Sequence, residues 1–240
     1  MDYAVTFDLW NTLIWERHHD QVANRLSANM GRVLTAAGYG IEKDQLSGII
    51  EECRQMVMAR QVKEGLDILP EEQLYWILGR VGLAPTGRVV KELLEYYTSV
   101  RDRGEILIME GAEAVLEVLA RKYRLALICN TGRTPGRVIR PWLAAAGLSK
   151  YLQVLTFSNE LGIAKPNPDI FFQTLEKLGA VPERAAHIGD DPRTDVKGAR
   201  SAGMVPIWFN SRQREDAPPE ARQVQHLDRL AGLLKSIWDY

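Results

Sequence analysis

The chain has 240 residues, 46% hydrophobic and 25% charged, which suits one large folded domain or two modest ones and excludes a disordered chain. Thirty Lys plus Arg oppose 31 Asp plus Glu, so no basic field draws in nucleic acid or anionic lipid. Apolar runs such as Leu125 to Cys129 fall far short of the roughly 20 residues of a membrane span, and no secretory signal pattern opens the chain; with only Cys53 and Cys129 as thiols, a reduced, cytoplasmic protein is expected.

The first strand is predicted at Ala4 to Phe7. From about Trp15 to Arg103 only helical periodicity follows: Val22, Leu26, Met30, Val33, Leu34 and Ala37 fall three to four residues apart. Further helices are expected from Lys43 to Val62, Glu71 to Val81 and Arg88 to Ser99, with Gly38, Gly40, Pro70 and Gly82 as punctuation. Asp102-Arg103-Gly104 reads as the return crossing, followed by a helix from Gly111 to Lys122. Strands then recur at Leu125 to Cys129, Val154 to Phe157, Ala185 to Ile188 and Val205 to Phe209, in the alternation that marks parallel βαβ units. The Pro218-Pro219 region, within Gln213 to Ala221, is loop-like, and an amphipathic helix closes the chain from about Leu227 to Trp238. The fold class is therefore α/β: an open parallel sheet built from residues 1–14 and 105–240, with a helical module, 15–104, spliced into it.

Ligands of such sheets bind beyond the carboxyl ends of the strands. Asp8, Asn11 and Thr12 follow the first strand; Asn130, Thr131, Gly132 and Arg133 follow the second. Ser158, Asn159 and, further on, Lys165 follow the third; Asp190, Asp191 and Asp195 follow the fourth. Crowded carboxylates need a cation to stay ionised together, and hard oxygen donors suit Mg²⁺ better than zinc. Lys165 could neutralise a carboxylate and bind an anionic group, and Asp8, first beyond the first strand, is the natural nucleophile.

Four ordered segments resemble the signatures of the haloacid dehalogenase superfamily: Val5-Thr6-Phe7-Asp8-Leu9-Trp10-Asn11-Thr12-Leu13, Leu127-Ile128-Cys129-Asn130-Thr131-Gly132, Gly162-Ile163-Ala164-Lys165-Pro166 with the residues to Phe171, and His187-Ile188-Gly189-Asp190-Asp191 through Ala199. The resemblance implies a Rossmann-like core with an α-helical cap after the first strand. It implies Asp8 as nucleophile and Mg²⁺ held by Asp8, the main-chain carbonyl of Trp10 and Asp190, with Asp191 or Asp195 ordering its outer shell. It further implies Asn130 or its neighbours bonding the transferring group and Lys165 stabilising negative charge.

Two positions depart from the family's phosphatases. Trp10 stands where they carry a proton-donating Asp, and an indole cannot exchange a proton at neutral pH. That donor is typically worth roughly 10²- to 10⁴-fold, so substrates with good leaving groups are expected. The family's dehalogenases carry an aromatic there, but without the Gly-Asp-Asp pattern. Cys129 stands where the family places a hydroxyl, which shifts anchoring to Asn130, Thr131 and amides near Gly132, unless Cys129 is simply a small buried residue. Arg17 could fork onto a substrate carboxylate or phosphate, against the alternative of a surface salt bridge. His18-His19 read as a solvated helix start and His187 as a packed core histidine; Tyr75, Trp76, Tyr96 and Tyr97 read as packing of the cap. The function expected is a Mg²⁺-dependent phosphatase of a small phosphorylated metabolite. Its rivals are a dehalogenase of halogenated acids and a catalytically degenerate member that binds phosphate or a protein partner.

Overall fold

The computed structural model describes residues 3–18, 21–100, 105–215, 218 and 221–238. His19, the expected return crossing Asp102-Arg103-Gly104 and Pro219 lie outside the described residues.

Strands β1 (Ala4–Phe7), β4 (Arg124–Cys129), β5 (Val154–Phe157), β6 (Ala185–Gly189), β7 (Val205–Phe209) and β8 (Arg222–Val224) form one parallel sheet in the order β5-β4-β1-β6-β7-β8. Side chains alternate across a strand, and both faces are covered, which is why these strands read as continuous apolar runs. Val5, Phe7, Leu125, Leu127, Ala186 and Ile188 face one layer, with residues of α5 (Ala112–Ala120), α6 (Gly136–Ala145) and α10 (Leu230–Trp238). Ala4, Ala126, Ile128 and Ala185 face the other, against α8 (Pro168–Leu178) and α9 (Lys197–Ser201). A four-residue helix, α7 (Ser158–Leu161), follows β5 directly.

The inserted segment has its own core. Helices α1 (Val22–Ala36), α2 (Lys43–Glu64), α3 (Pro70–Arg80) and α4 (Arg88–Thr98) bury Leu26, Met30, Leu34, Leu46, Cys53, Leu74, Ile77 and Leu93 together. Helix α3 begins where expected because Pro70 presets the first turn, and the Glu72 carboxylate accepts from the Leu69 amide at 3.3 Å.

One expectation is corrected. Trp15 and Glu16 belong to a strand, β2 (Ile14–Glu16), paired antiparallel with β3 (Ile106–Ile108), so the chain leaves and re-enters the core through a two-stranded ribbon. Three-residue strands are too short to show alternation in sequence. Edge strand β8 was hidden in the same way, just beyond the loop-like stretch Gln213 to Ala221.

Candidate active site

The strand order reverses about β1, and the carboxyl ends of β1, β4 and β6 open together into a cleft of about 1000 Å³. Asp8, Trp10, Asn130, Lys165 and Asp190 border it from the core; Asn24, Ser47, Arg54 and Gln61 border it from the cap.

Lys165 is the hub. Its ammonium group, 1% exposed, lies 2.6 Å from Asp8 Oδ1 and 2.7 Å from Asp195 Oδ1, and it donates to the Ile128 carbonyl at 2.8 Å. Three donors thus meet three acceptors. Burial alone would lower the Lys165 pKa, but Asp195 and Asp8 hold it above the usual lysine range. Burial would likewise raise Asp195, yet Lys165 and His187 keep its carboxyl well below the usual carboxylate range. His187 has its pKa lowered, chiefly by its own burial. Its Nε2 donates to Asp195 Oδ1 at 3.1 Å, so Nδ1 accepts from the Thr6 hydroxyl at 2.8 Å. Asp195 Oδ2 accepts from the Asp191 amide at 3.0 Å. The side chain folds so closely over Gly189 that a β-carbon there would sit 2.1 Å from Asp195 Cγ, which accounts for the glycine of the Gly-Asp-Asp run.

Asp8 is 6% exposed, and burial, opposed by Lys165, raises its pKa to about 6. Asp190 is pushed up to about 8, by burial first and then by Asp8 and Asp195. Carboxylate oxygens of Asp8, Asp190 and Asp195 lie within 4.8 Å of one another. Such crowding, with all-oxygen donors and protonation held at unusually high pH, fits a hard divalent cation. Asp8 and Asp190 have carboxylate oxygens to offer it; Asp195 already spends both of its own on Lys165, His187 and the Asp191 amide.

Other expected site residues are placed differently. Asn130, expected to bond the transferring group, grips Lys165 instead: its Oδ1 accepts from the Lys165 amide and its Nδ2 donates to the Lys165 carbonyl, each at 2.9 Å. One amide hydrogen remains. Thr131 borders the cleft, and its hydroxyl donates towards Asn159 Oδ1 at 3.0 Å and Asp67 Oδ2 at 3.3 Å. Cys129 is fully buried in the core and does not line the cleft. Thr12, also fully buried, lies outside the lining as well. Asp191, expected beside the metal, borders the cleft but pairs with Arg193 at 2.7 Å and stands outside the carboxylate triad. Arg17 pairs with Glu105 at 2.9 Å, both about half exposed, and takes no part in the cleft. Gly132 borders the cleft at φ +56°. Trp10 sits half-buried between the cleft and the apolar side chains of Ile14, Ile106, Ile139 and Trp142.

Sequence reasoning passed over the bonds of His187 to Asp195 and Thr6, since a histidine inside a strand reads as packing. It also passed over Asp67 and Gln73, which precede or sit within a helix and carry no motif; only the fold brings them to the loop after β4.

A doubly wound sheet with a buried carboxylate–lysine centre beneath a helical cap is the architecture of a capped α/β hydrolase. Residues 4–203 match the family model described as haloacid dehalogenase-like hydrolase, and the chain belongs to that family. It is a hydrolase. Over 128 residues it is 38% identical to a phosphoserine phosphatase of Thermus thermophilus, covering 53% of this chain and half the length of that protein. It is 31% identical to a phosphorylated carbohydrates phosphatase of Thermotoga maritima, over 66% of this chain and 68% of that one. Among solved structures, a 2-haloacid dehalogenase from Pseudomonas syringae superposes with a TM-score of 0.71 at 24% identity, covering 99% of this chain and 100% of that one, a likeness of fold alone. Among the described residues no helix is long and apolar enough to cross a membrane.

Proposed function

We propose that this protein is a Mg²⁺-dependent phosphatase of a small phosphorylated metabolite, with Asp8 as nucleophile. The observation that carries this reading is the pairing of Asp8 with Lys165 at 2.6 Å, with the Asp190 carboxylate close by, on the floor of a roofed cleft. The residues 1–14 and 105–240 supply the chemistry and 15–104 the roof. A Mg²⁺ ion held by Asp8, Asp190 and the Trp10 carbonyl would supply Lewis-acid stabilisation of phosphoryl oxygens and the counter-charge the carboxylates need.

Asp8 attacks phosphorus through the carboxylate oxygen not held by Lys165, the P–O bond to the leaving group breaks, and an acyl phosphate forms on Asp8. Lys165 fixes the nucleophile and faces the negative charge that develops; Asp195, braced by His187, keeps Lys165 protonated and in place. Asn130 sets the backbone of Lys165. Water then attacks phosphorus, releasing phosphate and regenerating Asp8. Trp10 offers no proton to the departing oxygen, so the leaving group departs as an anion, and acidic alcohols, enols, phenols or acids are the fitting class. Cys53 and Cys129 are buried and not joined in a disulfide, which suits a reducing compartment, and we place the protein in the cytoplasm.

Trp10 also favours a second reading, a 2-haloacid dehalogenase in which Asp8 attacks carbon. Against it, Asp8 and Asp190 would repel a haloacid carboxylate in the absence of a cation. A panel of phosphate esters and haloacids with and without Mg²⁺ tests both: phosphate release that stops in chelator supports the phosphatase, and halide release that persists in chelator replaces it with the dehalogenase.

A further inference from the structure

Three consecutive residues of the loop after β4 each bond to the cap. Thr131 reaches Asp67; Gln73 Nε2, in α3, donates to the Gly132 carbonyl at 3.3 Å; and the Arg133 guanidinium donates to the carbonyls of Tyr97 and Ser99 at the C-terminal end of α4. Nothing in the pairing of Asp8 with Lys165 calls for this arrangement.

Asp67 stands at its centre. Its Oδ1 accepts from the Ile68 amide at 2.8 Å and from Gln61 Nε2 at 2.9 Å, which fix it within the cap. Its Oδ2 accepts from the core hydroxyl Ser158 Oγ. That bond uses the Ser158 hydroxyl proton. Ser158 Oγ is then left to accept from the Thr131 amide, at 2.9 Å. The backbone repeats the link: the Asp67 amide donates to the Gly162 carbonyl at 3.1 Å and the Ala164 amide to the Gly65 carbonyl at 2.9 Å, around an antiparallel bridge between Leu66 and Ile163. Gly65, at φ +66°, passes so near Asn167 that a β-carbon would lie 2.6 Å from that residue's own. One cap segment, 65–68, therefore touches both the 130–133 loop and the run that leads into Lys165.

We propose that Asp67 is a positioning residue that ties seating of the cap to the shape of the 130–133 loop, so that the loop is ordered to receive a phosphoryl group only when the cap is docked. The identity of that ligand rests on the phosphatase reading; the coupling itself does not.

Hydrogen exchange on the full chain in Mg²⁺, combined with calorimetric titration by inorganic phosphate, tests it on Asp67→Ala and Asp67→Asn. Asparagine can restore the network, because its oxygen takes the Ile68 and Gln61 donors while its amide donates to hydroxyls free to turn round. The alanine variant should exchange faster in peptides covering 65–74, 130–136 and 158–164, with β1 and β7 still protected. It should bind phosphate at least about ten-fold more weakly, or about 1.4 kcal/mol, while the asparagine variant stays within about three-fold of the parent. If Asp67→Ala fails to fold, Ser158→Ala should give the same pattern. Unchanged exchange and phosphate affinity in either alanine variant would overturn the proposal, as would a uniform loss of protection with no rescue by asparagine. Local loosening of these segments in a protein whose parent form binds no phosphate would uphold the coupling and count against the phosphatase reading.

Discussion

Replacing Lys165 by Met keeps the side-chain length and removes the charge. The variant leaves Asp8 and Asp195, 6% and 2% exposed, without the cation that lies 2.6 and 2.7 Å from them. Breaking a buried pair from one side costs about 3–5 kcal/mol, because the charge left behind is uncompensated. At about 2–4 °C per kcal/mol for a protein of this size, the midpoint of thermal unfolding should fall by roughly 6–20 °C. The sign of the pH dependence follows from Asp195. Its folded pKa is depressed, so its contribution is present above the unfolded carboxylate range and lost as pH falls through the folded value. The deficit of Lys165→Met should therefore be largest near neutrality and shrink below about pH 4, where carboxylates of the unfolded chain take up protons. Thermal unfolding in chelator across that range measures it. A fall of less than about 2 °C near pH 7, or a deficit that widens on acidification, would refute the electrostatic account of this centre.

Other outcomes follow from the same geometry. An aryl phosphate should turn over at least about 100-fold faster than an alkyl phosphate such as glycerol phosphate, since no proton donor stands at position 10; equal rates in steady-state assays would reject that reasoning. Trp10→Asp should raise alkyl phosphate turnover by at least about ten-fold, and a folded variant without gain would contradict the role given to Trp10. Asp8 and Asp190 have raised folded pKa values, about 6 and about 8, so their contribution to metal-free stability is present below about pH 4 and lost as pH rises through those values. Millimolar Mg²⁺ competes with those protons, and its stabilisation in thermal shift should grow between about pH 5.5 and 8.5; a constant or shrinking shift would speak against a carboxylate metal site. Arg17→Ala should change stability by no more than about 1 kcal/mol, because its pairing with Glu105 is exposed, and leave KM unchanged; a raised KM would return Arg17 to the binding site.

The long elements were legible in sequence because each carries many apolar residues on one period. Strands β1, β5 and β7 fall where the apolar runs end, and α1 follows its three-to-four-residue stripe almost to the residue. Asp8, Lys165 and Asp190 were legible for a different reason: each lies just past, or a short way beyond, a strand whose end the sheet topology sends to one edge. What the sequence hid depends on side-chain direction. Asn130, Thr131 and Cys129 are consecutive with one another and sit in the expected place, yet one holds Lys165, one turns to the cap and one packs in the core. Arg17 lies near the chain's exit from the core, but its guanidinium points to Glu105. Asp67 could not have been found at all from spacing, since its partners Ser158 and Thr131 stand 91 and 64 positions away.

The most direct test of Asp8 as a phosphorus-attacking nucleophile is mass spectrometry of the protein acid-quenched during turnover of an aryl phosphate with Mg²⁺. The peptide containing Asp8 should carry one additional phosphoryl group, absent from Asp8→Asn. Sustained phosphate release with that peptide unmodified at every quench time, or undiminished release by Asp8→Asn, would contradict it.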